Sequence, residues 1–268
     1  MEKILTKMFR KINLFFLNII LLPVSLIIIL LRPFVLLRFK ELSSELFGGF
    51  IAFPEIYLCE KKEKINLPNK THLDIFYPHH LGLICNSALM KMWKRKLLIL
   101  PSVICHPINI QLSTISKFFN MKNIHDVGDN TSMDRDVHNL FNKHSINISF
   151  NSEEKINGIK FLRKIGLKEN EKFVCVAVRD GQYNKDFYKD SYDNLKLNRH
   201  DYRNWNIQNF IPAIEYLLEK GYFVIRVGKN SKEKLNIQNE KFFDYTFSNI
   251  KNDFIDIFLG ANCHFCIS

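Results

Sequence analysis

Three arginines, Arg179, Arg203 and Arg226, stand at or near the ends of two apolar runs in the second half of this chain. A planar guanidinium with several fixed N–H groups suits bidentate recognition of phosphate. FVCVAV at 173–178 passes directly into Arg179-Asp180-Gly181, and YFVIRV at 222–227 passes into Gly228-Lys229, with Arg226 close to its carboxyl end. Both runs are continuous and β-branched, the pattern of strands buried on both faces of a parallel sheet. In open α/β sheets ligands bind beyond the carboxyl ends of the strands, so charges placed there are binding candidates. Asp180 and His200 are the candidates for a base or for the group that orients one, and Tyr202 for stacking on a planar ring. Each has a plainer alternative. The arginines could pair with Asp180, Asp201 or Asp253, the aspartate could cap its loop, and the histidine and tyrosine could pack.

The elements that must hold these residues follow the same alternation. The loop from 181 to about 205 carries Tyr183, Tyr188, Tyr192 and then His200-Asp201-Tyr202-Arg203-Asn204. A connection of that length is uncommon unless functional or disordered, and its aromatics argue against disorder. From Asn206 to Lys220 the apolar residues Ile207, Phe210, Ile211, Ile214, Leu217 and Leu218 predict a helix, with Asn206 as its cap and Gly221 as its stop. Pro212 lies deeper than a first turn prefers, which predicts a later start or a kink. FFDYT at 242–246 and HFCIS at 264–268 predict short strands, with a helix over 253–261 between them. Upstream, LDIFY at 73–77 and LLIL at 97–100 predict strands, and 83–94 a helix. Residues 120–155 are polar and weakly periodic and are expected to link two domains. Gly48-Gly49, ahead of an apolar stretch, reads as a turn or as a place where the backbone approaches a ligand. The chain stops at Ser268 on a strand end, which is expected to leave the second unit unfinished.

Residues 13–31, NLFFLNIILLPVSLIIILL, hold no charge and approach the ~20 residues that cross a bilayer. Lys3, Lys7, Arg10 and Lys11 precede them, and Arg32, Arg38 and Lys40 follow. The run is too long for a signal peptide. It predicts either a single crossing or a helix broken near Pro23 that dips into the membrane and returns.

Composition excludes several classes. Of 268 residues, 47% are hydrophobic and 24% charged, so the chain is globular rather than disordered. The net charge is +11, but the lysines form no aromatic-interleaved stripe, and nucleic acid is not an expected partner. Cys59, Cys85, Cys105, Cys175, Cys263 and Cys266 are expected to be reduced thiols. The C-x-x-C at Cys263 and Cys266 has no second pair or histidine box beside it. No G-x-G-x-x-G follows a strand, which weakens a dehydrogenase reading.

The stretches HDYRNWNIQNFIPAIEYLLEKGYFVIRVG and DFIDIFLGANCHFCIS, with FVCVAVRD upstream, resemble a family of bacterial glycosyltransferases encoded in surface-carbohydrate loci. ICNSALMKMWKRKLLILP and DIF are similar to the N-terminal half of that family. The resemblance implies an α/β protein of two Rossmann-like parallel-sheet domains, the B-type glycosyltransferase arrangement facing across a cleft, with the second domain incomplete and a membrane helix in front. The divisions would be 1–40 for the membrane segment, 41–155 for the acceptor side and 156–268 for the nucleotide-sugar side. It also implies a nucleotide-sugar donor held by Arg179, Tyr202, Arg203, Asn204, Arg226, Gly228 and Ser268. Asp180 and His200 would be catalytic, without a metal or other cofactor. The acceptor would be a surface-polysaccharide or lipid-linked glycan at the cytoplasmic face of the membrane. The family's Arg-x-Gly-His-like turn corresponds here to Leu46-Phe47-Gly48-Gly49, which carries neither group, and the Ser/Gly-rich loop expected after Ser268 is missing. The alternative is a catalytically inactive, membrane-attached remnant of such an enzyme.

Overall fold

A computed structural model describes residues 2–128, 135–187 and 198–268, with side chains from Phe16 onward in the first helix and from Asp201 onward in the last segment. The chain divides into two compact units, Met1–Ser149 and Phe150–Ser268. The division falls at 149/150 rather than 155/156, and residues 1–40 belong to the first unit. The reason is local. Asn151 and Glu154 form a reciprocal capping box that starts helix α5 at Ser152. Phe150, just ahead of it, packs on Phe254 and Phe258 of the second unit.

The first unit opens with α1 (Glu2–Leu30), followed by β1 (Leu36–Glu41), α2 (Phe47–Lys62), β2 (His72–Tyr77), α3 (Ser87–Lys94) and α4 (Ser102–Phe118). β1 and β2 pair in parallel, from Leu36 opposite His72 to Glu41 opposite Tyr77. Single parallel bridges, Phe39 with Asp126 and Phe76 with Ile99, extend the pair on both sides. The predicted strand at 97–100 is therefore reduced to a bridge, because Pro101 ends it and serves as N-cap of α4. Gly48 and Gly49 lie inside α2 rather than in a turn. β1 enters the sheet although it carries Arg38 and Lys40, because both charges are neutralised. Arg38 forms a bidentate pair with Asp74, with Nε–Oδ1 and Nη2–Oδ2 both 2.7 Å. Lys40 Nζ lies 3.3 Å from Asp126 Oδ1 and 3.1 Å from Gly128 O.

α1 does not break at Pro23, which lies inside the helix. It is held on both sides of the proline. Gln111 of α4 donates to the backbone oxygen of Asn18, and Ser25 Oγ donates to Gln111 Oε1. Ile28 joins the core formed by Phe39, Ile75, Tyr77, Cys105, Ile108 and Leu112. Among the described residues, no helix is long and apolar enough to cross a membrane.

The second unit runs α5 (Ser152–Lys164), β3 (Phe173–Ala177), α6 (Gln182–Phe187), α7 (Ile211–Glu219), β4 (Phe223–Val227), β5 (Phe242–Asp244), α8 (Asp253–Asn262) and β6 (Cys266–Ile267). A 3₁₀ turn over Ile207–Phe210 leads into α7, so Pro212 falls in the first turn of the α-helix, where its missing N–H costs nothing. The four strands are parallel in the order β5-β4-β3-β6. Alternate residues of β3 and β4 face opposite sides of the sheet. Phe173, Cys175, Phe223 and Ile225 join Phe161, Phe258 and Leu259 on one side. Val174, Val176 and Val224 join Ile207, Ile214 and Leu217 on the other. With both faces covered, each such apolar side chain contributes roughly 1.5–3 kcal/mol of burial. Gly158 lets α5 cross α8 closely, since a Cβ there would run into the Phe258 ring. All six cysteines are free thiols. The architecture is α/β with parallel sheets, as in Rossmann-like folds.

Candidate functional site

In the second unit the polar residues at the carboxyl ends of β3 and β4 are tied into one network. Asp180 accepts from Ser231 Oγ, from Lys232 N at 2.7 Å and from Gln182 N at 3.0 Å. Burial pulls its pKa upward, but these hydrogen bonds win and hold the carboxyl below the ordinary aspartate value. A carboxylate so stabilised is an anchor for the 231–232 turn and a poor proton acceptor. Arg226 is buried. Its Nη1 lies 3.1 Å from Asp244 Oδ2, and its Nη2 donates to Ser231 Oγ at 2.7 Å. Its guanidinium also lies over the Phe247 ring. The ion-pair alternative holds for Arg226, with Asp244 as partner instead of Asp180, Asp201 or Asp253. Asp253 pairs with Lys229.

Arg179 is half-buried, and its Nε donates to Asn204 Oδ1 at 3.1 Å. Asn204 in turn donates to Asp201, and Trp205 N donates to the Arg179 carbonyl. Gly181, at φ +78°, lies against Asn204. Tyr202 and Arg203 are exposed. Gly228 has φ +150° and sits beside Thr246. Ser268 is exposed one residue beyond β6. His200 falls in a 3₁₀ turn over Asn198–Arg203, and its side chain lies outside the described residues, as do Tyr188 and Tyr192. Two hollows flank the Asp180–Lys232 junction. One of about 230 Å³ is lined by Asn204, Trp205 and Lys232. One of about 650 Å³ is lined by Ser231, Lys232, Phe247 and Lys251.

A second cluster, which sequence reasoning missed, lies in the first unit. Glu41 ends β1, and His79 and His80 follow β2 directly after Pro78. His106 comes from the first turns of α4. His80 presents both its backbone N and its ring Nδ1 to Glu41 Oε1, each at 3.0 Å. A carboxylate only accepts, so Nδ1 carries a proton, and in the neutral ring Nε2 keeps the lone pair. The side chain is 40% exposed, so that lone pair belongs to a group solvent and ligand can reach. His106 Nδ1 is 3.5 Å from Glu41 Oε2, and its ring stacks on that of His80, with centroids 5.0 Å apart. His79 Nε2 is 3.9 Å from Glu41 Oε1, and its Nδ1 accepts from Leu81 N at 3.3 Å. Burial lowers the pKa of both His79 and His106, assisted by the neighbouring His80. They therefore tend to stay neutral.

Glu41, His79 and His80 offer ligand atoms within 4.8 Å of one another. The hydrogen bonds use them otherwise. The Leu81 amide places the His79 proton on Nε2, the atom nearest Glu41, and His80 Nδ1 is donating. This is the arrangement of an imidazole base oriented by a carboxylate. Beside it opens a polar hollow of about 450 Å³, whose lining includes Glu41, Glu45, His106, Asn109, Ser113 and Lys117. The Asn109 amide donates to Tyr77 Oη at 2.9 Å, while its Oδ1 is buried without a hydrogen-bond partner.

The sequence signal for this cluster was two adjacent imidazoles at a strand's carboxyl end, the same rule that singled out Arg179-Asp180. No protein-family model, no curated protein and no solved structure matches this chain.

Proposed function

We propose that the chain is a glycosyltransferase of the B type, moving a sugar from a nucleotide-sugar donor to a hydroxyl of a glycan or lipid-linked acceptor. The observation that carries the reading is the Glu41–His80 pair at the carboxyl edge of a parallel sheet. It supplies the base for which the Leu46–Gly49 stretch has no residue. His80, rather than the hydrogen-bonded Asp180, is the group to which the acceptor hydroxyl gives its proton. As the acceptor oxygen bonds to the anomeric carbon and the glycosidic bond to the diphosphate breaks, the proton passes to His80 Nε2. Glu41 stabilises the imidazolium that forms. The charge that grows on the leaving diphosphate needs cations and N–H donors. Arg179, with its neighbours Asn204 and Lys232, meets that need better than Arg226, whose donors face Asp244 and Ser231.

Thermal unfolding of the full chain with UDP, GDP and CMP tests the donor side. At least one nucleotide raises the midpoint, since a ligand at ~100 times its Kd adds about 2.7 kcal/mol to stability. If none protects the protein, the donor-binding reading is wrong.

A further inference from the structure

α1 is amphipathic in the inverted sense. Its protein-facing stripe, Asn18, Leu21, Ser25 and Ile28, contains the polar residues, and these are engaged with Gln111 of α4. Its outward face is apolar. Ile19, Ile20, Leu26, Ile27 and Leu30 are 48–73% exposed. A helix on a water-facing surface shows the reverse, with charges outward. An unbroken exposed apolar face of this kind marks an interaction surface. The apolar face continues past the helix to Phe34, which is 79% exposed.

The charges that accompany this face identify its partner. In the sequence Lys3, Lys7 and Arg10 fall on the helical spacing that continues through Asn18, Leu21, Ser25 and Ile28. The register thus continues the polar stripe into basic residues, while the described outward face from Ile19 to Leu30 is apolar. An exposed apolar helix face led into by a basic stretch of sequence is what an anionic bilayer surface selects. A second protein surface would not require the basic stripe. Because Gln111 bonds to both Asn18 and Ser25, the helix is fixed along α4.

We infer that the Ile19–Leu30 face of α1 docks the first unit onto an anionic lipid surface, with the helix lying along the membrane rather than passing through it.

Vesicle cosedimentation of the full chain tests this, comparing phosphatidylcholine with phosphatidylcholine–phosphatidylglycerol mixtures. The wild type binds the anionic vesicles more tightly. Ile20→Asp, Ile27→Asp and Leu30→Asp, all at exposed positions, each lower the affinity by at least about tenfold, because a carboxylate is strongly disfavoured in the acyl region. Ile146→Asp, at an exposed position outside the helix, binds like the wild type. Replacing Lys3, Lys7 and Arg10 by serine removes the preference for anionic vesicles. The inference is overturned if the wild type binds neither vesicle. It is also overturned if the aspartate variants, folded by circular dichroism, bind as the wild type does. A lipid-free dimer that the same variants dissociate would overturn it too, because a second copy would then cover the face.

Discussion

Polar residues gather at the carboxyl edge of a parallel sheet in both units, but the two gatherings end differently. In the second unit the charges are consumed by one another. Asp180 is capped by Ser231 and Lys232, and Arg226 is buried against Asp244. In the first unit the carboxylate of Glu41 is shared among imidazoles, and among the described residues the sharing leaves His80 Nε2 uncommitted at a half-open surface. A charge at a strand end therefore becomes reactive only when its partners stabilise one protonation state without using the reacting atom.

The comparison breaks most visibly at Asp244. Removing it in Asp244→Ala leaves Arg226 buried and unpaired, and the cost is about 3–5 kcal/mol in denaturant unfolding. A loss below about 1 kcal/mol would mean that the second network is not closed. The opposite behaviour is expected at His80. On the proposed function, His80→Ala lowers sugar transfer by roughly 10²–10⁴-fold. Its unfolding free energy stays within ~0.5 kcal/mol of the wild type, because the side chain is largely at the surface. An equal loss of stability and activity would make His80 a structural residue.

Between these lies a pH effect from three histidines of the first unit. His79, His106 and His125 have pKa values lowered by burial from the ordinary 6.5. The unfolded chain then binds more protons than the folded one as pH falls through about 6.5. Their contribution to stability is fully present above that value and is lost below it. Unfolding midpoints measured from pH 8 down to pH 5 should fall on the acid side, and His79→Gln should flatten the fall. The smallest effect is expected at Arg179. Arg179→Ala should weaken nucleotide binding by about tenfold, the equivalent of one charge-assisted hydrogen bond. Its unfolding midpoint should be almost unchanged. Unaltered nucleotide protection would remove Arg179 from the donor site.

The contrast also sorts what the sequence made legible. The strands over 173–177 and 223–227 were readable because they are buried on both faces and carry an uninterrupted apolar signal. β1, reading LLRFKE, was not. Its Arg38 and Lys40 are neutralised by Asp74 and Asp126 and its Glu41 accepts from His80, all far along the chain, and no local periodicity encodes a remote partner. The same cause hid the candidate base. His79 and His80 adjoin the predicted strand at 73–77, but Glu41 reaches them only through parallel pairing of β1 with β2, and His106 only through α4. Arg226 was legible as a charge near a strand end. Its burial depended on Asp244 in the neighbouring parallel strand, a pairing set by topology.

The account rests most directly on the state of one ring. Long-range ¹⁵N–¹H correlation of the histidine side chains at neutral pH, assigned with His80→Gln, reads that state. The structure predicts that neutral His80 carries its proton on Nδ1, with Nε2 as the bare nitrogen, and that Glu41→Gln erases this preference. A His80 found as the Nε2–H tautomer in the wild type would contradict the assignment of His80 as a base oriented by Glu41.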